Sequence, residues 1–367
     1  MVKEMVSNNL KIDIHNYGID IARIAAMIMI CLLHTVNQGG AIGNVEINSP
    51  QWYAGVFIRV ITYSCVNIYG LISGIVACNS IEFRPSKVLY IVLEVLTYTL
   101  VITLFYKIFN PDLVTKEVLL KQMLPILKQQ YWYITAYVGL MFFMPIIACG
   151  IKYIDKKYLL LFTIVAIYFY SYLYNKYKMP SFQFNGGYTL IWLMILFCLG
   201  AALNKISFFS KVPFWIGIIM FIISATITYH LFLKGKESYL SYCSITVLVG
   251  AISMILVLYN IKIKNKIAKE VLKLFGEATL GVYLIHVNPL IWNSVIYNFT
   301  VKYQIVNKPV VIYVLLIILS GVCIFLLCAI CDIVRIFLVR LLHLKPILKE
   351  VDKIYNKIGN KMFKEET

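Results

Sequence analysis

From Ile19 to Leu338 the chain is a succession of apolar runs, each about 18–25 residues long and separated by short polar connections. Runs of that length match the thickness of a bilayer core. With no water there, backbone N–H and C=O groups must pair within the segment, which selects helices. Ten runs are readable, at 19–36, 52–78, 88–109, 132–150, 158–174, 188–204, 212–233, 240–260, 274–294 and 310–338. No polar stretch among them is long enough for a separate soluble domain. The expectation is an all-α polytopic membrane helix bundle of about ten transmembrane helices, a single domain over 1–367. Its parts are an N-terminal segment at 1–18, a ten-span bundle at 19–338 and a basic amphipathic tail at 339–367.

Composition agrees: 61% hydrophobic residues, 14% charged residues and a mean hydropathy of +0.81 exclude an ordinary soluble domain. The net charge of +17 does not imply nucleic acid, because the cations sit between apolar runs rather than on one basic surface. Their distribution orients the chain. Alternate connections carry 21 Lys and Arg on the side of the termini and 9 on the other, so the positive-inside rule places both termini in the cytoplasm of a multi-pass plasma-membrane protein. The first run lacks a small-residue cleavage site and reads as a retained helix. The nine cysteines fall almost entirely within apolar runs. Cys328-Ala-Ile-Cys331 has no second pair or nearby His to complete a metal site, so no metal is expected. The tail alternates Ile347, Val351, Ile354, Ile358 and Met362 with Lys349, Lys353, Lys357 and Lys361, the pattern of a helix lying on an anionic leaflet.

The first run carries Asp20, Arg23 and His34. At 100° per residue Arg23 and His34 are three turns plus about 20° apart, so they share a face, roughly 16 Å apart along the axis. Asp20, three residues before Arg23, lies on that face too. An ionisable group inside a span costs about 2.5–3.5 kcal/mol on insertion scales, so three in line imply use. Orientation puts Asp20 and Arg23 near the cytoplasm and His34 near the outer surface.

His34 is either a general base for a hydroxyl or a packed side chain bonded to a neighbouring carbonyl; its alignment with Arg23 and Asp20 favours the first. Arg23, Arg84 and Lys87 form a positive cytoplasmic mouth suited to phosphates, although Arg84 and Lys87 also suit snorkelling to lipid headgroups. Arg59 either pairs with Glu94, for which a lysine is the other partner, or orients a substrate. His286 lies outward of the midplane in the ninth run, where it can approach His34, and Gly276 and Gly281 beside it permit close helix packing. Between Asn110 and Tyr131 an interfacial helix is expected to cover an outer cavity, followed by an aromatic belt at Tyr131-Trp132-Tyr133.

At these residues the chain resembles the acyltransferase 3 family of integral membrane acyltransferases. The first-helix pattern Asp20-x-x-Arg23-x10-His34 is similar to the family's. So are Arg59 through Asn67-Ile-Tyr-Gly-Leu-Ile-Ser73-Gly74, then Phe83-Arg84-Pro85-Ser86-Lys87 with Lys replacing a second Arg. Asn67 stands where the family usually has Pro. Gln130-Tyr-Trp132-Tyr-Ile-Thr-Ala-Tyr137, Gly187-Tyr188-Thr-Leu-Ile-Trp192 with Leu199-Gly200, and Gly281-Val-Tyr-Leu-Ile-His286 extend the likeness from 15 to about 340.

The resemblance implies transfer of an acetyl or other short acyl group from acyl-CoA to a hydroxyl of a surface polysaccharide or its lipid-linked precursor. It implies acetyl-CoA as donor; the depth of the charges places its phosphates near Arg23, Arg84 and Lys87, with Asp20 beside Arg23 completing the cofactor-side candidates. His34, Arg59 and His286 are the catalytic candidates, His34 as general base or acyl acceptor. Asn67, Trp132 and Tyr133 are the substrate-side candidates, with Arg59 or Asn67 available to an oxyanion. The expected partners are acyl-CoA, a glycan acceptor and the bilayer; a homo-oligomer is left open. The competing class is a transporter or flippase for a glycan or lipid-linked intermediate, for which internal repeats are expected and none is visible. A sensor or structural partner in polysaccharide assembly would tolerate loss of His34.

Overall fold

The computed structural model describes residues 15–177 and 185–363. Most of the 1–18 segment, Lys178 and the last residues of the tail lie outside them. Thirteen helices of eight or more residues carry the fold: α1 Tyr17–Asn37, α2 Pro50–Thr62, α3 Cys65–Ala77, α4 Pro85–Phe109, α5 Lys116–Met123, α6 Trp132–Tyr153 and α7 Lys156–Ile167. They continue with α8 Leu190–Lys205, α9 Phe214–Leu233, α10 Ile245–Tyr259, α11 Lys266–His286, α12 Val310–Leu341 and α13 Leu344–Phe363. Their starts are written in the connections. Asn16, Ser49, Thr115, Asp155, Thr189 and Asn265 each turn a side-chain oxygen onto a first-turn N–H of α1, α2, α5, α7, α8 and α11. Pro50 and Pro85 open α2 and α4, where the missing N–H costs nothing.

Among the described residues six helical stretches are long and apolar enough to cross a membrane, or seven if the bent pair Lys266–His286 and Pro289–Asn307 is one span. Each of the ten expected runs nevertheless has a helical counterpart. The difference has identifiable causes. Helices α8 and α10 have 16 and 15 residues, so they rise only about 22–24 Å. Helix α7 passes into a π-helical stretch at Tyr168–Leu173. Helix α11 stops at His286 and the chain bends by 59°.

Helix α1 is the hub, packing against α2, α3, α10, α11 and α12. Helix α8 is buried most deeply, with Trp192, Leu193, Leu196, Phe197 and Ala201 fully enclosed. It meets α3 at backbone distance: a Cβ on Gly74 would lie 2.0 Å from the Phe197 carbonyl oxygen, and one on Gly200 2.1 Å from that of Leu71. The two glycines of the sequence motifs are thus a reciprocal contact that any side chain would separate. In contrast α9 and α12 expose rows of Ile, Leu and Phe outward, as lipid-facing helices do.

Helix α5 lies within the Asn110–Tyr131 connection, where a helix was expected. Its Leu119, Leu120 and Met123 are exposed while Gln122 points inward, exchanging amide hydrogen bonds with Asn288 at 3.1 and 3.3 Å. Where Arg59 or a lysine was expected as the partner of Glu94, Arg335 on α12 reaches it at 2.8 Å and is held by Asp332 at 2.6 Å, a partner one turn away on its own helix. Arg59 sits over the Phe232 ring at 5.5 Å, and its Nε is buried without a hydrogen-bond partner among the described residues.

Candidate functional site

A cavity of about 380 Å³ runs beside α1. Arg23, Met27, Ile30 and His34 line it, as residues i, i+4, i+7 and i+11 of a helix must if one face borders the space. Helix α3 contributes Tyr69, Ile72 and Ser73, α4 Lys87 and Ile91, α6 Trp132, Tyr133, Tyr137 and Met141, and α11 Thr279 and Tyr283. Tyr242, in the connection before α10, completes the wall. Arg23 and Lys87 make a basic end, Met27, Ile30, Ile72 and Met141 an apolar middle, and His34 with Trp132 and Tyr242 a polar aromatic end.

Asp20 stands behind this wall rather than on it. Its carboxylate accepts from Arg23 Nη1 at 2.9 Å and also contacts His15. A Cβ at Gly276 would lie 3.2 Å from Asp20 Cβ, so the glycine makes room for that carboxylate. The Tyr69 hydroxyl donates to the Arg23 carbonyl at 2.7 Å, tying α3 to the same turn of α1. These contacts fix the guanidinium at the basic end.

At the other end His34 Nδ1 and His286 Nε2 are 3.0 Å apart, and His286 Nδ1 lies 2.6 Å from the Val282 carbonyl. A carbonyl only accepts, so the proton on His286 is on Nδ1. Its Nε2 must then accept, which puts the His34 proton on Nδ1 and leaves His34 Nε2 with a free lone pair. His286 therefore sets the tautomer of His34 without itself lining the cavity. The Trp292 ring stands edge-on to His34 at 5.0 Å and 81°, held in a π-helical turn just beyond the bend after α11.

The substrate-side candidates divide. Trp132 lines the cavity within an aromatic group, 4.5 Å from Tyr188 and 6.0 Å from Tyr242. Tyr133 lines it too, stacked on Tyr137 at 6.0 Å. Asn67 does not: its amide donates to the Tyr242 carbonyl at 2.7 Å and accepts from Trp192 Nε1 at 3.0 Å. Both ends of that buried amide engage the scaffold, away from the cavity wall. Arg59 is not among the cavity-lining residues, nor is Arg84, an exposed side chain 3.5 Å from Glu82. The structure adds Tyr69, Tyr137, Tyr242 and Tyr283. Among 27 tyrosines, Tyr69, Tyr137 and Tyr283 stood out only by lying within the Asn67–Gly74, Gln130–Tyr137 and Gly281–His286 segments, and no sequence signal marked Tyr242.

The arrangement can hold an elongated molecule with an anionic head at the basic end, an extended apolar-tolerant arm and a reactive group near His34. Among the described residues no cluster of His, Cys, Asp or Glu could hold a metal ion. A family profile described as an acyltransferase domain, that of acyltransferase 3, matches residues 16–330. No curated protein and no solved structure is significantly similar to the chain.

Proposed function

We propose, from the premise that this chain belongs to the acyltransferase 3 family and is a membrane acyltransferase, that it acetylates a hydroxyl of a cell-surface polysaccharide or its lipid-linked precursor. Acetyl-CoA is the donor in this reading. It approaches from the cytoplasm, with phosphates at Arg23 and Lys87 and the pantetheine arm along the apolar middle of the cavity. The acceptor hydroxyl meets the thioester at His34, from the opposite side of a ten-span bundle with both termini cytoplasmic.

The observation that carries the reading is one continuous cavity with Arg23 at its basic end and His34, its Nε2 unprotonated, at the other. Along the helix axis the two are roughly 16 Å apart, a distance for an extended arm rather than a compact substrate. His34 Nε2 takes the proton of the acceptor hydroxyl, the oxygen attacks the thioester carbonyl, and the C–S bond breaks. The proton passes from His34 to the departing CoA thiolate, leaving free CoA and an acetyl ester. His286 holds the His34 ring in the tautomer this needs, as the orienting group of a catalytic triad does. Trp132, Tyr133 and Tyr242 offer ring faces to a sugar. Alignment of donor and acceptor supplies a large share of the rate.

The test is proton NMR of surface polysaccharide from cells with and without the gene, paired with transfer of radiolabelled acetyl from acetyl-CoA by the purified protein in lipid discs. O-acetyl signals are expected to disappear with the gene and label to appear on the glycan. Unchanged polysaccharide together with no acetyl transfer would overturn the assignment.

A further inference from the structure

The acyltransferase profile ends at residue 330, yet the helix beyond it touches the mouth of the cavity. Along α13, at 100° per residue, Ile347, Val351, Ile354 and Ile358 fall within about 60° of one another. Ile347, Ile354 and Ile358 are 60%, 59% and 54% exposed, so the bundle does not cover this face. Lys357 lies about 90° from the centre of this face, and Lys353 and Lys349 lie on the polar side of the helix at about 130° and 170° from it; Lys353 pairs with Glu350 at 2.7 Å. About 130° round the other way lies Asp352, whose carboxylate accepts from the Ser86 backbone N–H at 2.9 Å and from the Ser86 hydroxyl at 2.6 Å.

Ser86 is in the first turn of α4, where unpaired N–H groups favour a negative partner. Its neighbour Lys87 lines the cavity. Phe83 strengthens the contact, meeting Tyr355 edge-on at 5.7 Å and stacking on Phe142 at 5.4 Å. One helix thus has an exposed apolar face, a lysine-bearing polar side and an acidic grip on the cavity mouth.

We propose that α13 docks its isoleucine face, with the lysines of its polar side around it, on an anionic phospholipid leaflet, and that Asp352 transmits this docking to the start of α4, holding Lys87 in place at the donor's entrance. An exposed apolar face on a helix whose polar side carries lysines fits acyl chains beneath negative headgroups better than it fits water. The part concerning donor affinity rests on the proposed route of acetyl-CoA past Lys87; the structural coupling does not.

Hydrogen exchange on the full chain in lipid discs separates these parts, comparing phosphatidylcholine alone with phosphatidylcholine mixed with phosphatidylglycerol. In the anionic discs, protection of residues 344–358 is expected to rise on the order of tenfold, and protection of 85–92 to rise with it. Replacing Lys349, Lys353 and Lys357 together by Gln should abolish both responses. Asp352→Ala should keep the response at 344–358, lose it at 85–92 and raise the KM for acetyl-CoA about fivefold. Asp352→Asn, which still offers an oxygen to the Ser86 N–H, should fall between Ala and wild type.

Protection of 344–358 that is already complete in neutral discs means that something other than anionic lipid covers the face, and overturns the proposal. So does a response at 85–92 that survives Asp352→Ala. If instead both exchange responses appear as expected but acetyl-CoA has no measurable KM, the donor assignment fails and the coupling stands.

Discussion

Two lines of ionisable side chains lie in this bundle, Asp332, Arg335 and Glu94 between α4 and α12, and Asp20, Arg23 and His34 along α1. The first is closed on itself. Arg335 donates Nε to Asp332 at 2.6 Å, Nη2 to Glu94 at 2.8 Å and Nη1 to the Tyr90 hydroxyl at 3.2 Å, while the Tyr98 hydroxyl donates to Asp332 at 2.5 Å. Gly281 completes the packing, since a Cβ there would lie 2.2 Å from the Asp332 carboxyl group. The second line is only partly closed. Arg23 engages Asp20 through Nη1 alone, and the lone pair on His34 Nε2 has no partner among the described residues. Buried charge with its bonding capacity used up holds helices together; buried polarity with capacity left over, bordering a cavity, is equipped to meet a ligand.

The largest expected effect separates the two lines. His34→Ala should lower acetyl transfer about 10²–10⁴-fold, while the protein still folds with a stability lower by about 1–3 kcal/mol, the cost of leaving the buried His286 Nε2 without its partner. Transfer assays and thermal melts on the same preparation give both quantities. Transfer at near wild-type rate would end the assignment of His34 as base, and with it the contrast.

Arg335→Met should reverse the pattern. It removes the guanidinium that Glu94 and Asp332 share, at a cost of about 3–5 kcal/mol, so folded yield and Tm fall while transfer per folded molecule persists. Adding Glu94→Gln and Asp332→Asn removes the stranded charges and should restore much of the Tm. If the triple variant is as unstable as the single one, the cluster is more than a set of paired charges.

The first of these variants was legible in the sequence and the second was not, for a physical reason. Arg23 and His34 lie on one helix, where a separation of eleven residues dictates a shared face whatever the surroundings. Arg335 and Glu94 are 241 residues apart, so their meeting depends on how α4 and α12 pack. Glu94 was therefore expected to pair with Arg59 or a lysine. Asn67 shows the same limit from another side: its place in a motif was readable, but not that its amide is used by Trp192 and Tyr242. The helical class was plain from run length. The lengths of α8 and α10 were not, since helices enclosed by others need not match the lipid thickness. His286 stands between these cases. Its depth suggested nearness to His34, but the hydrogen bond it donates to the Val282 carbonyl, which sets the tautomer, depends on a side-chain rotamer that spacing does not dictate.

The smallest expected effect tests the open line at its basic end. Arg23→Ala removes the cation proposed to meet phosphate and should weaken acetyl-CoA binding by about 1.5–3 kcal/mol, the range for a hydrogen bond to a charged group. It also strips the buried Asp20 of its guanidinium, so lost affinity could arise from a disturbed helix start. Two further variants separate these causes. Arg23→Lys keeps a charge but not the planar fork, and should recover stability more fully than affinity. Asp20→Asn combined with Arg23→Ala leaves no stranded carboxylate, so its Tm should approach that of wild type while acetyl-CoA binding by isothermal calorimetry stays weak. If binding recovers along with stability in the double variant, Arg23 serves the scaffold as Arg335 does. The cavity would then have to hold the donor through Lys87 alone, and only the His34 end of α1 would differ in kind from the closed cluster.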